Sequence, residues 1–213
     1  MQKPYTSYNP YFLIPFLLWV ITGGILVFSF DKGEVFRWVN MAHSSALDVL
    51  MFRGTMLGEG MVITLVLLML LGMRMYRNWW YFTAALLCGI LPSIITQIVK
   101  HQVNAPRPLK FFSGASWLHT SADWPQLMEN SFPSGHTTGA FCMFTFLALL
   151  LTPKYRHWGV ILFALALLVA YTRMYLAVHF LADVYVGSII GTGFTLLVVA
   201  LMNKYSNIFF KKA

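Results

Sequence analysis

Charge is what this chain has least of. Only 10% of its 213 residues are charged, and just seven of those are acidic. The carboxylates are scattered along the chain, so they form no cluster of the kind that holds a divalent cation. Cysteine is nearly absent as well. Cys88 and Cys142 both sit inside apolar runs, so no disulfide framework follows and the redox compartment stays open. The fifteen Lys and Arg give a formal charge of +8, yet they gather in no single run or face. Nucleic acid is therefore not expected as a partner. Residues 1–10 lack the short hydrophobic core and small-residue cleavage site of a signal peptide, so the first apolar run is expected to be retained. Internal repeats and low-complexity tracts are lacking too.

What the chain has is hydrophobicity, 58% of residues, arranged in long uncharged runs. That composition belongs to polytopic membrane proteins, and the length to a single domain over residues 1–213. The expected fold is all-α, with six transmembrane helices and a short interfacial helix. The spans are predicted at residues 11–30, 60–73, 79–99, 134–151, 158–172 and 183–202. The second reaches across a bilayer only if Leu57, Gly58, Met75 and Tyr76 help and Arg74 snorkels. Pro92 is expected to kink the third, and Gly187, Gly191 and Gly193 to let the sixth pack closely on a neighbour.

Two longer connections separate these runs. Residues 31–59 carry Val35, Phe36, Val39, Leu47, Val49 and Leu50 at spacings that predict the interfacial helix. Residues 101–133 read as a loop in which Trp117 and Trp124 would anchor at the membrane interface. His43, His101 and His119 lie in these segments without metal-ligand spacing, and His157 lies in a basic turn.

Six spans place both termini on one side, together with Lys3, Arg74, Arg77, Lys154, Arg156, Lys204, Lys211 and Lys212. All seven acidic residues fall on the other side. Once Lys100, Arg107 and Arg173 are set aside for chemistry, Lys and Arg divide eight to four, which puts the termini in the cytoplasm.

Those three cations share the outer side with two histidines. His179 and Asp183 are four apart and share a helical face, so the carboxylate can take Nδ1–H and leave the Nε2 lone pair outward. Arg173 precedes His179 by six, and the two converge only if the chain turns between them. Ser134 is a plausible N-cap whose helix would aim free N–H groups and a positive dipole end outward; Gly135 lets a ligand approach the backbone. Such helix starts bind phosphate, and Lys100, Arg107 and Arg173 add cations suited to phosphoryl oxygens. His179 then suits attack on phosphorus, and His136 suits proton donation to the leaving oxygen. The set describes metal-free phosphoryl transfer through a phosphohistidine, with no cofactor required.

These residues form three blocks: Lys100 to Arg107-Pro108, Pro133-Ser134-Gly135-His136, and Thr172-Arg173 to His179 and Asp183. In order and spacing they resemble the signature of the type-2 phosphatidic acid phosphatases, the lipid phosphate phosphatases. The resemblance implies phosphate binding by Lys100, Arg107, Ser134, Gly135 and Arg173. It also implies that His179 is nucleophile, His136 general acid and Asp183 the partner of His179. Thr172 departs from the family's serine but keeps a hydroxyl. The site also resembles that of the vanadium haloperoxidases, which are soluble, whereas six spans are expected here.

The expected function is thus an integral-membrane lipid phosphatase, its site on the extracytoplasmic face. Undecaprenyl diphosphate, phosphatidylglycerol phosphate, phosphatidic acid and lipid A phosphates are the substrates the family suggests. A phosphotransferase using the same intermediate and an anionic-lipid transporter remain alternatives.

The topology has a direct check. A cysteine placed at Ser121 reacts, in intact cells, with a thiol reagent that cannot cross the membrane, whereas one placed at Lys154 does not. The opposite labelling pattern would put the acidic loops in the cytoplasm.

Overall fold

In the computed structural model, which describes residues 6–209, every regular element is helical. Helix α1 (Pro10–Ser29) begins where the Asn9 side chain accepts the Tyr11 N–H at 3.0 Å, with proline in its first turn. Asn9 is itself buried, and its amide donates to the carbonyls of Ala148 and Arg156. The start of the first helix is thereby pinned to a distant part of the bundle.

The 31–59 connection holds two helices rather than the single one expected. Asp31 and Glu34 form a reciprocal capping box that starts α2 (Lys32–Met41). Ser44 then caps a separate helix, α3 (Ser45–Gly54). Val35 and Phe36 are buried against the protein, while Val49 and Leu50 are exposed. A 3₁₀ turn, Thr55–Gly58, leads into α4 (Gly60–Gly72), and α5 (Trp79–Val103) follows. Asn78 caps the start of α5; Asn104, with φ +44°, ends it in the left-handed conformation. The helix runs four residues beyond its expected end, so His101 belongs to a helix and not to a loop. After the short α6 (Pro108–Phe111) come α7 (Gly135–Leu150), α8 (Gly159–Tyr175) and α9 (Leu181–Phe209).

Helix α7 is apolar on every side and nearly all of it is buried, which makes it the hub of the bundle. It packs against α5, α8 and α9. Two glycines of α9 set the closest approach. A Cβ at Gly191 would stand 2.4 Å from the Thr138 carbonyl oxygen, and one at Gly187 would stand 2.8 Å from the Ser134 carbonyl oxygen. Gly193 plays no such part, since a Cβ there meets nothing within 4 Å. The expectation holds for two of the three. Cys88 and Cys142 are free and buried, the Cys142 thiol donating to the Cys88 carbonyl.

Of the two tryptophans expected at the membrane interface, Trp124 is packed inside the protein and Trp117 is half-buried. Trp124 is 6% exposed and lies against His119 and Tyr175, while Trp117 meets Phe36 and Phe112. The long connection folds back over the end of the bundle, where these rings pack edge-on and tilted against one another.

Four helical stretches are long and apolar enough to cross a membrane: Pro10–Ser29, Trp79–Phe111, Pro153–Tyr175 and Leu181–Ser206. A fifth arises if Ser45–Gly58 and Gly60–Gly72, bent by 57°, count together. The segments expected as the second and fourth spans are the short ones, α4 with 13 residues and α7 with 16. At ~1.5 Å per residue they reach ~20 and ~24 Å, against a hydrocarbon core of ~30 Å. Lys3, Lys211 and Lys212, which entered the charge argument, lie outside the described residues.

The glycine contacts predict opposite outcomes for two neighbouring substitutions. Gly191→Val forces α9 off α7 and is expected to cost at least the ~1–3 kcal/mol of ordinary overpacking. Gly193→Ala has open space and gains helix propensity, so it is expected to be neutral or slightly stabilising. Thermal unfolding of the two variants in detergent distinguishes them, and an equal effect would mean that the α7–α9 contact is not close.

Candidate functional site

The turn required between Arg173 and His179 exists. Helix α8 ends at Tyr175, Ala177 takes a positive φ of 55°, and the N–H groups of Val178 and His179 both donate to the Arg173 carbonyl at 3.1 Å. One carbonyl thus gathers the loop and brings the guanidinium and imidazole to the same side. Arg173 and His179 are 3% and 2% exposed.

Asp183 stands in the first turn of α9, where its Oδ2 accepts from three donors. These are the Phe180 N–H at 2.8 Å, His179 Nδ1 at 3.3 Å and the Ser131 hydroxyl at 2.5 Å. With the carboxylate on Nδ1, the hydrogen-bond network assigns the proton to that nitrogen and the lone pair to Nε2. Nε2 in turn lies 3.4 Å from Arg107 Nη1. Burial pushes the His179 imidazole down to about 3; the bond to Asp183 pulls it upward, and Arg107 and Arg173 add to the fall. His179 is therefore neutral at physiological pH, with a lone pair on Nε2.

Arg107 closes the other side of the histidine. Its guanidinium donates to the carbonyls of Glu129 at 2.7 Å, Val178 at 3.1 Å and Asn130 at 3.2 Å. These bonds tie two loops to the site, and Nη2 keeps a second hydrogen for a ligand. Arg173 donates from Nη1 to the Thr55 hydroxyl at 2.6 Å, and its buried Nε has no partner. Lys100 reaches the same cavity from the end of α5. Among the described residues no carboxylate lies within 4 Å of Lys100, Arg107 or Arg173.

Ser134 caps α7 as expected, its Oγ accepting the Thr137 N–H at 3.4 Å. Its own N–H is committed to the Asp183 carbonyl at 3.0 Å, which joins the starts of α7 and α9. The amides of Gly135 and His136, in the first turn, have no acceptor within the helix and remain for an anion. Thr172 turns its hydroxyl to the Val169 carbonyl at 2.7 Å, so it braces α8 and leaves the cavity to its neighbours.

The cavity measures about 730 Å³. Lys100, Arg107, Gly135, His136, Arg173 and His179 line one end, and the remainder runs between α4, α5 and α7 to Leu71, Phe82 and Phe146. Ser134 and Asp183 stand behind that surface. All eight residues singled out in the sequence therefore converge, six on the cavity wall and two as supports.

Three residues at the site escaped sequence reasoning. Ser131 shares the Asp183 oxygen with His179, Thr55 holds Arg173, and Glu59 Oε2 lies 2.9 Å from His136 Nε2. Of these only Glu59 left a trace, as a lone carboxylate bordering an apolar run on the side of the other acidic residues. Ser131 and Thr55 look like any loop hydroxyls.

The family model of the PAP2 superfamily matches residues 78–206, which hold all three blocks. Lipid A 1-phosphatase of Rhizobium etli is 30% identical over 142 residues, 65% of this chain and 57% of that protein. Phosphatidylglycerophosphatase B of Bacillus subtilis is 29% identical over 137 residues, 61% of this chain and 62% of that protein. The match thus spans less than two thirds of either curated relative. The crystal structure of Aquifex aeolicus LpxE superposes with a TM-score of 0.63, covering 78% of this chain and 93% of that one at 31% identity. Blocks, geometry and family model coincide on the same stretch, and the chain belongs to the PAP2 superfamily.

Proposed function

We propose that the protein is an integral-membrane lipid phosphatase, a single domain that hydrolyses a lipid phosphomonoester or diphosphate through a phosphohistidine at His179. The observation that carries this reading is the set of three cations, from three chain segments, gathered around His179 without a carboxylate partner. An unpaired buried charge is expensive. A site that leaves the buried Arg173 Nε without a partner and surrounds it with further positive charge is built for an anion supplied from outside.

The chemistry follows from the arrangement. Lys100, Arg107, Arg173 and the amides of Gly135 and His136 hold the phosphoryl oxygens and offset the charge that develops on them. His179 Nε2 attacks phosphorus while Asp183 steadies the imidazole through Nδ1. His136 gives its proton to the departing oxygen and then takes one from the water that releases phosphate. The apolar remainder of the cavity supports a lipid substrate, since it offers an alkyl chain a continuous slot beside the headgroup site.

The named activities of the two curated relatives make lipid A 1-phosphate and phosphatidylglycerol phosphate the first substrates to assay, alongside undecaprenyl diphosphate and phosphatidic acid. In this reading α4, joined to the bent stretch Ser45–Gly58 before it, and the shorter α7 complete six spans. Both termini are cytoplasmic, and the site faces the extracytoplasmic side of the inner membrane.

Phosphate release by the detergent-purified protein on that panel tests the proposal. His179→Ala is expected to be inactive on every ester. His136→Ala loses ~10²–10⁴-fold on an alkyl phosphate, the usual range for a general acid, and distinctly less on an activated aryl phosphate. Should His136→Ala be equally impaired on both while the aryl ester partly rescues His179→Ala, the two roles are reversed.

Asp183 and the donor set give two further checks. Asp183→Asn is expected to lower kcat far more than it changes KM, because an amide can favour the wrong tautomer; a loss confined to KM would make Asp183 a substrate contact. Activity is expected to persist in excess chelator, since cations and amides supply the charge stabilisation. Loss in chelator that magnesium reverses would rule the mechanism out.

A further inference from the structure

Glu59 is the one charged group at the site that the reaction above leaves unused. It lies between the 3₁₀ turn Thr55–Gly58 and α4, its Oε2 2.9 Å from His136 Nε2 and its side chain 56% exposed. The turn before it is fixed to the site at two other points. Thr55 receives the Arg173 bond at 2.6 Å. A Cβ added to Gly58 would come within 3.0 Å of the His136 carbonyl oxygen and 3.1 Å of its Cβ. Glu59 therefore reaches His136 from backbone already docked against that residue.

We propose that Glu59 is the positioning residue of His136, holding its Nε2–H so that Nδ1 is the nitrogen that donates and recovers the proton. The inference rests on the phosphatase reading and deepens it. The pair is the counterpart of Asp183 and His179, in which the carboxylate takes Nδ1 and leaves Nε2 to react.

In the first step His179 Nε2 forms a bond to phosphorus as the bond from phosphorus to the lipid oxygen breaks. The electron pair stays on that oxygen, which receives the proton of His136 Nδ1. The neutral imidazole that remains carries its hydrogen on Nε2, the tautomer a carboxylate at Nε2 stabilises. In the second step water oxygen bonds to phosphorus, its proton passes to His136 Nδ1, and the electron pair of the nitrogen–phosphorus bond returns to His179. A charged His136 is also repelled by Arg173 and Lys100. Among the described residues Glu59 is the carboxylate at contact distance to offset that repulsion.

An ordinary half-exposed ion pair contributes little and has no bearing on rate, so the two roles separate experimentally. Glu59→Gln keeps shape and removes charge. In the full-length protein it is expected to lower kcat on an alkyl phosphate by about tenfold or more, part of the ~10²–10⁴-fold of the general acid, with KM within about threefold. The loss is expected to shrink on a nitrophenyl phosphate, whose oxygen needs no proton. Combined with His136→Ala it adds nothing, since both changes remove one function.

Equal loss on both esters, no loss, or full additivity with His136→Ala overturns the proposal. Nitrogen NMR of histidine-labelled protein, recorded above the titration of His136, reads the same point without turnover: neutral His136 holds the Nε2–H tautomer in wild type and a mixture in Glu59→Ala. An unchanged tautomer overturns the role of Glu59. If wild type releases phosphate from no ester, the phosphatase reading fails, and the tautomer measurement then decides Glu59 on its own.

Discussion

The fold depends on holding three cations together at one end of an apolar bundle without a fixed counter-charge. Repulsion alone would splay the segments that carry them. Neutral carbonyls prevent this at Arg107, which draws in the backbone of Glu129, Asn130 and Val178. At Arg173 the carbonyl accepts two loop N–H groups while the guanidinium meets Thr55. Dipoles lower the cost of burial without cancelling the charge, so the site keeps its field for an incoming anion. A carboxylate in contact with either arginine would stabilise the empty protein and weaken that field. Both carboxylates close to the site contact a histidine instead.

Helix packing sets how far apart those histidines stand. His136 rides on the first turn of α7 and His179 on the loop before α9. Gly187 and Gly191 let these two helices close to backbone contact. The bond from the Ser134 N–H to the Asp183 carbonyl then locks their starts together. The spacing of the two histidines is thus set near the starts of the helix pair, by glycines with no chemistry of their own. Helix α4, which has no buried residue, is the loosely held wall of the cavity. Few buried contacts are the physical mark of an element that opens at low cost, and the apolar slot lies along that wall.

Much of the site was legible because its parts are local. A serine that caps a helix, a histidine and aspartate four apart, and a cation bordering an apolar run each follow from a few neighbouring residues. Even the turn between Arg173 and His179 follows from helical periodicity, because six residues on an unbroken helix would point the two side chains apart. Helix boundaries were less legible where caps were hidden in the pattern: Ser44 splits one expected helix in two, and another runs past its apolar run until Asn104 ends it.

The sequence by itself determined that the chain is helical, with apolar runs of membrane-crossing length, and that it carries three short blocks in fixed order, since composition and spacing act along the chain. Only the tertiary structure decided which carboxylate meets which histidine, that Ser131 and Thr55 support the site, and that Trp124 packs inward. The physical reason is separation. Glu59 and His136 lie 77 residues apart, and Thr55 and Arg173 lie 118 apart. Nothing in the local pattern of either partner specifies the other. Such pairs form because α7, packed on all sides and approached closely through two glycines, leaves the loops above it few ways to satisfy their polar groups.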